Sequence, residues 1–173
     1  MGKAKANSKR EMFNNCVEDL ADLPEVQKLA DFSQHLNTSR LKHCLNVSYY
    51  SYRVCKKFGW NYKAAARAGL LHDFYLYDWR VEKRPEGHHA KAHPQVALKN
   101  AREITNLNAI EEDAIVKHMW PITIAFPRYK ESYVVSFTDK ICAGCEVMNY
   151  YGVKIKTGVS KVKWLFGGKG YAR

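Results

Sequence analysis

Gly69-Leu70-Leu71-His72-Asp73 places an imidazole and a carboxylate side by side at the end of a helix of small residues. A lone His-Asp pair says little. Here it keeps company with His43 upstream and His93, His118 and Asp139 downstream, each on or at the edge of its own predicted helix. Imidazole nitrogen and carboxylate oxygen suit divalent ions such as Zn, Mn, Fe, Co, Ni or Mg, the softer transition ions at roughly 2.0–2.2 Å. His43, His72, Asp73 and Asp139 supply the ligands of one ion, and adding His93 and His118 suffices for a second. Such a pair of ions lowers the pKa of bound water and clamps a phosphoryl group, which is hydrolytic chemistry. Arg40, one turn before His43, Lys117, directly before His118, and Lys140, directly after Asp139, are placed to receive phosphate oxygens, the arginine bidentately.

Residues on separate helices converge only if those helices form a bundle around them. The chain has 173 residues, enough for one domain with a real core. Glu11 to Leu23 repeats apolar residues at helical spacing, and Pro24 opens a short helix to Phe32. Thr38 or Ser39 caps a long helix over Arg40 to Phe58, ended by Gly59, with His43 at the border of its apolar side. Asn61 caps the next, from Tyr62 to about Asp73. There Ala65, Ala68, Gly69 and His72 form a line that lets another helix approach closely.

Residues 80–92 lack apolar periodicity and read as a polar loop placed to cover a site. This loop offers Arg80, Lys83 and Arg84 as anion contacts, with His88 and His89 as further imidazoles. His93-Pro94 is expected to begin a helix with Pro94 in first position. Asn108 followed by Glu111 predicts a capping box for the helix ending at His118. A last helix spans about Lys130 to Met148. Val134, Phe137, Ile141 and Cys145 are its expected apolar seam, and Asp139 an acid on the inward side. No strand is expected.

The formal charge is +11, with seven histidines counted neutral. It is carried by the ends: residues 1–10 hold four cations and no acid, residues 147–173 six cations and no acid, leaving +1 between them. That distribution argues for solvated tails over a nucleic-acid surface. Five scattered cysteines are expected as reduced thiols in a cytoplasmic protein, with Cys142 and Cys145 packing within a helix. No apolar run is long enough for a membrane span, and no apolar segment follows the basic start, so neither a membrane partner nor a secretory leader is expected.

Over residues 38–148 the chain resembles the HD-domain superfamily of metal-dependent phosphohydrolases. The resemblance rests on Leu70-Leu71-His72-Asp73, the His93-Pro94 pair, Ile115-Val116-Lys117-His118 and Asp139-Lys140-Ile141, in that order and spacing. It implies an all-α, single-domain helical bundle around a His/Asp metal site, holding one or two divalent ions. It also implies hydrolysis of a phosphate ester or phosphoanhydride in a nucleotide or small phosphorylated metabolite. Residues 1–37 would then be a basic start with short packing helices, and 149–173 a basic Gly/Lys-rich extension. By residue matching, His43, His72, Asp73 and Asp139 are the core ligands, with Asp73 the catalytic and bridging carboxylate, and His93 and His118 hold a second ion.

Two departures stand out. Phe74-Tyr75-Leu76 replaces the Ile-Gly-Lys that follows the pair in many two-metal members, and Met119 stands where many have a further histidine. The variant resembles a small stand-alone bacterial subgroup. A non-catalytic protein that binds metal and nucleotide is the alternative expectation, and a nucleic-acid-directed activity through the basic ends the third. The oligomeric state is left open by the sequence.

Overall fold

The computed structural model describes residues 2–81 and 89–152, with the side chains of residues 2–9 left out. The chain is a single helical domain. Its elements are α1 (Gly2–Ala21), α2 (Pro24–Gln27), a 3₁₀ turn (Lys28–Asp31), β1 (Ser33–His35), β2 (Thr38–Ser39), α3 (Arg40–Lys57), α4 (Tyr62–Leu71), α5 (His89–Ile104), α6 (Ala109–Lys117) and α7 (Lys130–Tyr150). Among the described residues no helix is long and apolar enough to cross a membrane. The expected loop residues Lys83, Arg84 and His88 and the extension from residue 153 lie outside the described residues.

The local signals act as physical chemistry requires. Ser39 Oγ accepts from Lys42 N and caps α3, and Asn61 Oδ1 accepts from Ala64 N and caps α4. Asn108 and Glu111 form the reciprocal capping box of α6. α3 and α4 form the centre of the bundle, and Gly69 is the reason they can lie so close. A Cβ there would stand 2.8 Å from Ser48 Cα and 2.9 Å from Ser48 N. The Ser48 hydroxyl donates to Ala66 O across the same seam at 2.6 Å. α1 closes the outside of this pair with Phe13, Cys16, Val17 and Leu20, all buried.

Three expectations are corrected. The connection before α3 is a two-stranded antiparallel hairpin pairing Ser33 with Ser39 and His35 with Thr38, where no strand was expected. Among described residues α5 starts at His89, four residues before the expected start, so Pro94 lies inside the helix. Pro94 forgoes one backbone bond there, while Ala90 and Ala92 are strong helix formers. His89 also stacks on His93 one turn along, with ring centroids 4.5 Å apart and planes 24° from parallel.

The third correction concerns the apolar seam of α7: Cys145 is buried and Asp139 is inward as expected, but two members of the seam are not. Phe137 and Ile141, half or more exposed, point outward, while Asp139 and Glu146 turn inward beside Val135 and Cys142. The inner face of this helix faces a polar centre and carries its acids there.

Candidate metal centre

Five helices each deliver one end or one face to a common point. His43 lies in the first turn of α3, His72 is the C-cap of α4 with Asp73 next, His93 is on α5, His118 is the C-cap of α6, and Asp139 lies midway along α7. All four histidines and Asp73 are buried.

The ring orientations follow from helix ends. The last carbonyls of a helix have no intrahelical donor, and an imidazole at the C-cap can supply one. His72 Nδ1 accordingly meets Gly69 O at 2.9 Å and His118 Nδ1 meets Ile115 O at 2.8 Å. His93 Nδ1 meets His89 O at 2.7 Å, and His43 Nδ1 meets the Glu146 carboxylate at 3.0 Å. A carbonyl or carboxylate accepts only from a protonated Nδ1. In the neutral ring this leaves the Nε2 lone pair free, the tautomer a metal ligand needs.

All four Nε2 atoms point inward. His43 Nε2 is 3.0 Å from Asp139 Oδ1, and His72 Nε2 is 3.6 Å from both Asp139 Oδ1 and Asp73 Oδ2. His93 Nε2 and His118 Nε2 are 3.3 and 3.4 Å from Asp73 Oδ1. Ligands ~2.1 Å from one ion stand roughly 3.0 Å apart along octahedral edges and roughly 3.4 Å along tetrahedral ones, so these separations fit shared coordination. His43, His72 and Asp73, then His72, His118 and Asp139, then Asp73, His93 and His118 form three overlapping groups whose ligand atoms lie within 4.8 Å of one another.

Two buried atoms at the centre, His72 Nε2 and Asp73 Oδ1, have no hydrogen-bond partner. Unsatisfied buried polar atoms are costly, and a divalent cation satisfies both. The residues fit a metal.

The electrostatics favour positive charge at this point, as protons or as a cation. Burial opposes charge on His43, but Asp139 and Glu146 on its two nitrogens outweigh burial and push it up to about 10. Burial also opposes ionisation of Asp73 and Asp139, yet the surrounding imidazoles hold both carboxyls well below the usual carboxylate range. His118 is pushed down to about 3 by burial and by the His72 charge. Two ionised carboxylates thus sit buried among imidazoles, the electrostatic setting of a cation site.

Three residues at the site carried no expectation. Glu146 holds His43 through Oε2 and accepts from Asn46 Nδ2 at 3.0 Å through Oε1. Its signal was its position seven residues, two turns, after Asp139 on the same helix face. Gln34 donates its amide to Asp73 Oδ2 and accepts from Arg40 Nε at 2.9 Å. It arrives on the hairpin, and periodicity offered no sign of it. His35, also on the hairpin, lies 5.2 Å from the His43 ring and joins His43 and Glu146 in a further group of three.

Among the described residues, those expected to contact phosphate each touch protein groups. Arg40 is fully buried, donating to Tyr75 O at 2.6 Å and lying 3.6 Å over the Tyr75 ring. Arg80 donates to Ser33 O and Gln34 O. Lys117 pairs with Asp113 at 2.6 Å. Lys140 sits 3.0 Å from Asp139 Oδ2 and donates to His118 O. His89 stacks between Trp79 and His93, ring centroids 4.9 and 4.5 Å away. Comparison with protein-family models, with curated proteins and with solved structures finds no match to this chain.

Proposed function

We propose that this protein is an HD-type metal-dependent phosphohydrolase acting on a phosphate ester or phosphoanhydride of a nucleotide or small phosphorylated metabolite. The observation that carries the reading is the convergence of four Nε2 atoms on Asp73 and Asp139, each ring fixed by a bond from its Nδ1. Asp73 belongs to two of the ligand groups, so its carboxylate could serve more than one ion. His43, His72, Asp73 and Asp139 would hold the first and His93 and His118 the second. A bound divalent cation supplies Lewis acidity and a water activated near neutral pH.

The chain's own residues do the rest. Gln34 holds Asp73 Oδ2 in place. Glu146 orients His43 from behind, the outer-shell arrangement that raises ligand basicity. Lys140 is the cation beside Asp139 and is partly exposed, so it is placed to meet negative charge developing on a phosphoryl oxygen.

A second reading, a regulatory protein that binds metal and nucleotide without turnover, draws support from one observation. Arg40, Arg80 and Lys117 are already committed to carbonyls and carboxylates of the fold. The test separates the two. Wild-type protein loaded with Mn, Fe, Co, Ni, Zn or Mg is assayed against a broad panel of phosphate esters, and metal content is measured in parallel. Turnover abolished by Asp73→Ala supports the hydrolase. Stoichiometric metal without turnover of any panel member supports the regulatory reading, and absence of bound metal sinks both.

A further inference from the structure

The outward face of α7 has the composition of an interface. Phe137, Ile141, Gly144, Met148 and Tyr151 follow one another at intervals of four, three, four and three residues, the spacing of a helix-pairing seam. All five are exposed. No carboxylate interrupts the stripe, because Asp139 and Glu146 point the other way into the metal centre.

The stripe continues onto the segment after α6. Trp120 packs edge-on against Phe137 with ring centroids 5.4 Å apart and touches Phe126, and Ile122, Ile124 and Phe126 are 66 to 93 % exposed. Soluble monomers rarely leave so large a contiguous apolar patch in water.

The arrangement is symmetric about Gly144. Ile141 and Met148 lie three and four residues to either side, and Phe137 and Tyr151 seven. An added Cβ at Gly144 would meet nothing within 4 Å, so the helix surface is open at the midpoint of the stripe. A two-fold axis through that point lays a second α7 antiparallel on the first, glycine on glycine, Phe137 toward Tyr151 and Ile141 toward Met148. Small residues at the crossing allow the axes to come close, antiparallel macrodipoles attract, and the surface is self-complementary as a two-fold interface requires.

At their exposures, and with about 200 Å² for each fully exposed large side chain, the seven exposed apolar side chains, Trp120 left aside, offer roughly 900 Å² per copy. Stable specific interfaces bury about 800 Å² per partner. We propose that two copies of this chain pair through the outer face of α7, crossing at Gly144.

The test is sedimentation of the full chain at ~50 μM, above the micromolar upper end for interfaces of this size. The expected mass is twice the 20.0 kDa of one chain. Gly144→Glu adds a Cβ that meets nothing within 4 Å at an exposed position and replaces glycine with a better helix former. The variant should keep its circular dichroism while its dissociation constant rises by roughly 100-fold or more, since two carboxylates would be buried at the crossing.

Gly144→Cys should cross-link two chains on mild oxidation, the five native cysteines being buried. A full chain that stays at 20.0 kDa overturns the proposal, whatever else covers the stripe. So does a dimer whose mass ignores Gly144→Glu and which forms no bridge through position 144.

Discussion

His93 Nε2 and His118 Nε2 stand 2.9 Å apart in the buried centre, and the Nδ1 of each ring is bonded to a backbone carbonyl of its own helix. With Nδ1 protonated on both rings, the neutral pair turns two lone pairs toward each other, and toward Asp73 Oδ1 at 3.3 and 3.4 Å. Two imidazole nitrogens and a carboxylate oxygen crowded this closely make an arrangement that a cation stabilises. Because each ring is held by a carbonyl of its own helix, the crowding is built into the fold.

Metal should therefore stabilise the folded chain. A divalent ion at one hundred times its dissociation constant adds about 2.7 kcal/mol, which for a chain of this length raises Tm by about 5–10 °C. Thermal melts of chelator-treated protein, with and without each candidate ion, measure this. Asp73→Ala should remove the shift. If none of Mn, Fe, Co, Ni, Zn or Mg moves the wild-type Tm, the site does not hold metal.

Glu146 acts through His43, so its replacement should lower metal affinity. Glu146→Ala removes the acceptor of the His43 Nδ1 proton and leaves Asn46 Nδ2 without its partner. Metal affinity should fall about 10–100-fold, as for other lost partners of ligating histidines. Glu146→Gln keeps an acceptor oxygen and should recover most of that loss. Isothermal titration of both variants checks the order. Equal affinities for Ala and Gln would show that the hydrogen bond does not set the ring.

Gly69 couples the packing of α3 and α4 to the aim of His72. Gly69→Ala places a methyl 2.8 Å from Ser48 Cα, and the obstacle is backbone that cannot swing aside. The helices must separate at a cost of about 1–3 kcal/mol or more, in spite of the roughly 1 kcal/mol that alanine gains over glycine in helix propensity. Denaturant unfolding measures the difference. Metal affinity should fall with it, since Gly69 O is the acceptor that orients the His72 ring.

The helices, their caps and the order of the six His and Asp residues were legible because each rests on local chemistry: an apolar period, a capping side chain, an acid where apolar residues were due. What was illegible depended on tertiary context. Phe137 and Ile141 looked inward because periodicity ranks faces by apolarity, and α7 faces a polar centre with Asp139 and Glu146. Gln34 reaches Asp73 from a hairpin whose few residues carry no period. Among the described residues α5 begins at His89, whose ring stacks with Trp79 and His93, contacts that no single-helix pattern encodes.

Asp113 offers a pH test away from the metal ligands. Its carboxylate is nearly buried between Lys117 Nζ at 2.6 Å and the backbone N–H of Arg128 at 2.8 Å, and ties α6 to the segment leading into α7. Burial works against its ionisation, but the bonds from Lys117 and Arg128 outweigh burial and leave it below its ordinary value. A depressed carboxyl pKa contributes stability above the unfolded value, about 3.9, and that contribution is lost as pH falls through the folded one. Asp113→Asn should therefore destabilise the chain at pH 6–7, by about 1–3 kcal/mol for a hydrogen-bonded charged group. The gap to wild type should stay level down to about pH 4.5 and close below that. Urea unfolding of both proteins from pH 7 to pH 3 follows the gap, and a difference independent of pH would place the effect in packing instead of charge.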